Sequence, residues 1–244
     1  MRTLWPVFKR ELRSYFITPS AYLFTLLLLI LSGISTFYLG DFYQRNQADL
    51  APLFDYLPWL YALLLPTLAM RMWSIERQTG SIELLMCLAV GTAEAVVAKF
   101  LAAWMVSAIA LALTFPLVIT VNYLGAPDNG VILCGYLASW LLAGSCLAIG
   151  GCLSALTRNP LVAYLGAMAL CLAFLACGFA VVLDALRGWA SLPWLDGVAS
   201  LSLLTHFEGL CRGVVDPQDL LYFFSQIVGW LAATVIAVEL KKAV

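Results

Sequence analysis

Residues 20–39 read SAYLFTLLLLILSGISTFYL, a charge-free run between Arg13 and Asp41. At about 1.5 Å of rise per helical residue, such a run just crosses a hydrocarbon core about 30 Å thick. The pattern repeats along the chain. Further runs lie at Leu57–Trp73, roughly Phe100–Tyr123, roughly Val131–Leu156, Leu161–Leu183 and Leu220–Val238. The second is short and holds Arg71, which must reach the interface. The composition agrees: 63% of the 244 residues are hydrophobic and only 27 are Lys, Arg, Asp or Glu. Soluble domains carry about twice that share of charge. The fold expected is an all-α integral membrane protein with six transmembrane helices. A disordered chain is excluded by the apolar content. A nucleic-acid binder is excluded by a net charge of −1 without a basic stripe.

Six spans put both termini on one side, and the charges say which. That side carries Arg2, Lys9, Arg10, Arg13, Arg71, Arg77, Lys99, Arg158, Lys241 and Lys242. The other carries Arg45, Arg187 and Arg212 beside nine acids. The positive-inside rule places the ten-basic side in the cytoplasm of a bacterial inner membrane. The first span lacks a small-residue cleavage pattern and reads as a retained anchor. Of seven cysteines, five fall within spans, where Cys behaves as a small hydrophobe, and no disulfide framework or zinc spacing is expected.

The segments outside the spans divide the chain further. In residues 1–19, Trp5, Phe8, Leu12, Tyr15 and Phe16 follow helical spacing, next to Arg2, Lys9, Arg10 and Arg13. That pattern predicts a basic amphipathic helix in the cytoplasmic headgroup region, with Trp5, Phe8, Lys9, Arg10, Leu12 and Arg13 at the membrane interface. Thr18-Pro19-Ser20 separates it from the six-span domain, 20–244. The cytoplasmic loop 74–99 has a polar turn, Glu76–Gly80, then a short apolar stretch, Ile82–Val90, with Glu83 its only charge. This stretch is too short to span and too apolar for one-sided burial, so it needs a second covering surface. Gly125–Gly130 is a turn. The 184–219 loop is expected to form short helices outside, as a lid or a binding cap. Gly144, Ala148 and Cys152 have helix-packing spacing, and Pro66 and Pro116 are candidate kinks.

Chemistry is sparse. His206 is the only histidine, no Gly-Lys dipeptide exists to make a phosphate-binding loop, and no Asp, Glu or Lys lies deep in a span. The chain is therefore not expected to be an enzyme, to bind ATP or a metal, or to run on an ion gradient. Energy for transport would come from another chain.

Residues 66–85, PTLAMRMWSIERQTGSIELL, with Glu94 and Lys99, resemble the permease subunits of ABC type-2 exporters. The matching motif is Glu76, Arg77, Gly80, Ser81, Glu83, Leu84, Leu85, Glu94 and Lys99. Met70-Arg71 and the segment from Phe207 to Asp216 resemble the gliding-motility, GldF-like branch, with Cys87, Ala89 and Gly91 departing from its pattern. The resemblance implies an interfacial N-terminal helix, a coupling helix after span two and an outer helical region before span six. It also implies a separate ABC ATPase that holds ATP and Mg, and a second permease copy or a GldG-like membrane protein. ATPase docking would then fall to Glu76, Arg77, Gly80, Ser81, Ile82, Glu83, Leu85 and Met86, with membrane lipid as the remaining partner. The alternative is a non-transporting scaffold that passes ATPase motion to a cell-envelope machine.

Overall fold

The structure, a computed structural model, describes residues 4–40, 42, 49–79, 91–179, 182, 197 and 200–240. Among these, every regular element is helical. Helix α1 runs Leu4–Ile17 and α2 Pro19–Ile34, the latter extended by a wider π-helical turn at Ser35–Leu39. Then come α3 (Ala51–Ala69), the short α4 (Ser74–Gln78), α5 (Thr92–Ala112) and α6 (Phe115–Leu124). They are followed by α7 (Asn129–Leu156), α8 (Pro160–Ala176), α9 (Leu203–Cys211) and α10 (Pro217–Leu240). Among the described residues, five stretches are long and apolar enough to cross a membrane, and α8 is an apolar helix of 17 residues. With α8 at the lower limit for crossing, the described helices accommodate six spans.

The boundaries follow local chemistry. Thr18 is extended, with Pro19 opening α2. Its hydroxyl donates to the Ser14 and Tyr15 carbonyls, which closes α1. Asp128 caps α7 by accepting from the Gly130 amide, and Asn159 caps α8 by accepting from Leu161. Pro66 lies within α3 without breaking it. Pro116 does mark a break: span three divides at Leu113–Thr114, and Pro116 sits in the first turn of α6, where a missing N–H costs nothing.

Two spans differ from the sequence expectation. Span two starts at Ala51 rather than Leu57 and takes Asp55 into its helix, with Pro52 in the first turn, where its missing N–H costs nothing. It also ends at Ala69, before Met70–Trp73 turn away. Span five starts as expected, but its helix stops at Ala176 rather than reaching Leu183. There the first turn of α9 presses on Gly178: a Cβ would run into Ser202 Oγ and lie 2.8 Å from Thr205 Oγ1.

Helix α7 is the axis of the bundle. It packs on α3, α5, α8, α9 and α10, and it is buried without interruption from Leu142 to Cys152. Small residues make this possible. At Gly150 a Cβ would lie 2.5 Å from the Ala69 Cβ of α3, and at Gly144 it would meet Trp104 and Ile227. Trp104 stacks on Trp140 at 4.1 Å between ring centroids and donates to the Trp140 carbonyl, joining α5 to α7. By contrast, α2 and α10 present Leu23, Leu26, Ile30, Leu221, Phe224 and Val228 outward, as lipid-facing helices must.

Candidate functional site

The most unusual side chain in the bundle is Lys99, in the second turn of α5. It is 3% exposed. An ammonium group taken out of water needs partners. Lys99 Nζ lies 2.7 Å from Glu76 Oε1 of α4 and 3.4 Å from Glu11 Oε2 of α1. The face of Trp73 lies beneath it, 5.2 Å from Nζ to the ring centroid, adding a cation–π contact. One buried cation thus ties together the N-terminal helix, the foot of span two and the start of span three.

Neighbouring hydrogen bonds fix the same junction from the other side. Ser154, near the end of α7, accepts from the backbone amides of Trp73 and Ser74, each at 3.1 Å, and donates to the Met70 carbonyl at 2.9 Å. Ser74 also donates to the Met70 carbonyl. These bonds satisfy groups that the end of α3 leaves unpaired and hold the Met70–Trp73 turn. Tyr15 of α1 donates to the Leu68 carbonyl at 3.3 Å. Burial, reinforced by the Glu11 and Glu76 carboxylates, raises its phenol well above the ordinary value, so it remains a donor.

Helix α1 reaches this site because it lies along α5. Its expected apolar stripe divides. Leu12 and Tyr15 pack against the core and Phe8 is half-buried, whereas Trp5 and Phe16 are exposed. Lys9, Arg10 and Arg13 are exposed as well. Glu76 and Arg77 lie in α4. Gly80, Ser81, Ile82, Glu83, Leu85 and Met86, with the rest of the 82–90 stretch, lie outside the described residues.

Sequence reading missed Glu11, Tyr15, Trp73 and Ser154 as parts of the junction. For Glu11 a signal existed: it sits inside the Phe8–Leu12–Tyr15 stripe, and an acid on a covered face requires a cation opposite. The Ser154 hydroxyl carried no comparable signal.

At the opposite end of the bundle, α9 buries Leu203, Phe207 and Leu210. The ring nitrogens of His206 lie 2.6 Å from Asp219 Oδ1 and 3.1 Å from the Ser200 carbonyl, and the ring stacks on Tyr222 at 4.0 Å. Tyr222 donates to the Leu201 carbonyl at 2.6 Å. The only histidine is therefore engaged in a structural brace. Beside α9, a cavity of about 530 Å³ is lined by Asp49, Asp55, Asp128, Glu208 and Arg212, among apolar side chains. Cys211 borders it. Burial first, then the Asp55 and Glu208 carboxylates, push its thiol up to about 12. No group of three or more His, Cys, Asp or Glu side chains suited to a metal occurs among the described residues.

Comparison with known proteins adds one match. The family model described as CcmB protein matches residues 2–124, which is 123 of the 244 residues. The matched part runs from the start of α1 to the end of α6 and contains Glu11, Glu76 and Lys99. No curated protein matches the chain.

Proposed function

As the chain belongs to the CcmB family of ABC-type membrane permeases, we propose that it docks a separate ATPase through residues 76–90 and passes the ATPase stroke to its spans for export. The observation that carries this reading is the buried Lys99. Glu76 stands before the 80–90 segment and Lys99 after it, and their ion pair joins the two flanks at 2.7 Å. A displacement of the segment is therefore felt at once by α4, by α5 and, through Glu11, by α1. Ser154 carries the same displacement into α7, the bundle axis. Discrete packed elements joined in this way move as units, which suits rigid-body rocking.

ATP and Mg belong to the ATPase in this reading, since the chain has no phosphate-binding loop. A second permease copy or a GldG-like protein completes the membrane part. The same proposal includes the GldF-like affinity suggested by Met70-Arg71 and the segment from Phe207 to Asp216. It also places the chain in a bacterial inner membrane with both termini in the cytoplasm, supported by ten basic residues on one side against three on the other.

The test is copurification. Ile82, Leu85, Met86 and Ala89 recur at helical spacing, and an aspartate at position 85 would carry charge into a desolvated contact. Leu85→Asp should reach the membrane at the normal level yet lose its ATPase in pull-downs. Glu83→Ala should weaken the association less. Retention of the ATPase by Leu85→Asp, with normal stimulated turnover, would remove 80–90 as the docking element.

A further inference from the structure

The outward face of α1 has a composition that neither water nor hydrocarbon satisfies. It exposes Trp5 at 67% and Ile17 at 71%, with Phe16 also outward, and places Lys9, Arg10 and Arg13 among them. Among the described residues of α1 the only acid is Glu11, and it is turned inward. An apolar rim carrying three cations complements a membrane surface bearing negative headgroups.

Glu11 is shared between that surface and the interior. Its Oε1 lies 2.7 Å from Arg10, whose side chain is 53% exposed, and its Oε2 lies 3.4 Å from Lys99, whose side chain is 4% exposed. Lys99 in turn holds Glu76. The four residues form a chain of alternating charge, from the lipid-facing surface to the flank of the 80–90 segment. The Lys99–Glu11 contact is the long one, as expected when a carboxylate is drawn in two directions.

We propose that anionic phospholipid headgroups bind the Lys9, Arg10 and Arg13 face and control the Lys99 junction through Glu11. A headgroup phosphate pairs with Arg10 and releases Glu11 Oε1. The freed carboxylate turns to Lys99, shortens the 3.4 Å contact and tightens α1, α4 and α5 on one another. In a neutral bilayer Arg10 keeps its hold on Glu11 and the junction is looser. The physiological consequence, lipid control of coupling, rests on the function proposed above, but the binding and tightening do not involve the ATPase.

The experiment is hydrogen exchange on the full chain in nanodiscs of phosphatidylcholine, alone or with about a quarter phosphatidylglycerol. The amides of α4 and its C-cap, residues 74–79, should exchange about fivefold more slowly with phosphatidylglycerol present, because tightening raises the cost of local opening. Arg10→Gln should show slow exchange in both lipids, since Glu11 is free throughout. Glu11→Gln should show fast exchange in both. Arg10 is exposed and Glu11→Gln keeps the size of the inward side chain, and unchanged exchange in α7 serves as the control for folding. Equal exchange of wild-type α4 in the two lipids would overturn the proposal. So would an undiminished lipid response in Arg10→Gln. An equal effect of soluble phosphate on phosphatidylcholine nanodiscs would overturn the membrane as the source of the anion. No ATPase is present, so loss of docking in Leu85→Asp leaves these outcomes unaffected.

Discussion

Replacing Lys99 with methionine keeps most of the side-chain volume and removes the charge. Glu76 and Glu11 would then face each other across an apolar filler. At an effective dielectric constant of about 20, the 2.7 Å and 3.4 Å contacts correspond to roughly 6 and 5 kcal/mol of Coulomb attraction, before desolvation and carboxylate repulsion. Those two costs cancel most of it. Removing one partner of a fully buried pair costs about 3–5 kcal/mol. Here Glu76 and Glu11 retain 20% and 15% side-chain exposure and can recover some hydration. We therefore expect Lys99→Met to cost about 2–3 kcal/mol. Glu76→Gln should cost about 1–2 kcal/mol, because Lys99 keeps Glu11. The double variant should cost no more than Lys99→Met alone. The assay is equilibrium unfolding of the purified protein in mixed detergent micelles, followed by helical circular dichroism, for all four proteins of the cycle. Additive losses, or a Lys99→Met protein within about 0.5 kcal/mol of wild type, would refute the clasp.

Three further outcomes concern the Ser154 turn, Cys211 and the topology. Ser154→Ala leaves the Trp73 and Ser74 amides without their acceptor in a buried turn, and should cost about 2–3 kcal/mol in the same unfolding assay, whereas Thr157→Ala nearby should cost under about 1 kcal/mol. At the opposite end of the bundle, Cys211 should label about a thousandfold more slowly than an ordinary cysteine at neutral pH, because its thiol is held up to about 12 and only the thiolate reacts. Its rate should keep rising as pH is raised towards that value. A cysteine at the exposed Val214, by contrast, should label readily with an impermeant reagent in intact cells, while one at Thr79 should label only after permeabilisation. The reverse pattern would invert the topology.

How much the sequence disclosed depends on the range of each interaction. Uncharged runs located the spans because crossing a bilayer is a local requirement on about 20 consecutive residues. Glu76 and Lys99 were visible within one motif, 23 positions apart. Their third partner was not, since Glu11 is 88 positions from Lys99 and nothing local links them. The α1 stripe revealed that one face is covered, but periodicity does not say by what. Lipid was expected beneath Leu12 and Tyr15, where α5 and the core supply the cover. Asp55 was treated as a boundary because it is charged, yet the helix begins before it, with Pro52 in its first turn. Ser154 was hidden because serine in an apolar span can return its hydrogen bond to its own helix, and only the tertiary arrangement shows that it reaches another.

The brevity of α8 bears on the bilayer itself. Seventeen helical residues rise about 25 Å, roughly 5 Å less than the hydrocarbon is thick. Hydrophobic mismatch of this size is met by thinning the lipid nearby or by letting another element complete the crossing. Backbone leaving a helix at that depth cannot face acyl chains with its amides unpaired. The start of α9, pressed onto Gly178, removes that exposure for the Cys177–Gly178 turn. On the topology proposed above, the start of α9 thus acts as a sealing wedge at this turn, covering backbone where α8 ends short of the hydrocarbon thickness. Lengthening α8 would force the wedge away, and withdrawing the wedge would expose the Cys177–Gly178 turn to lipid.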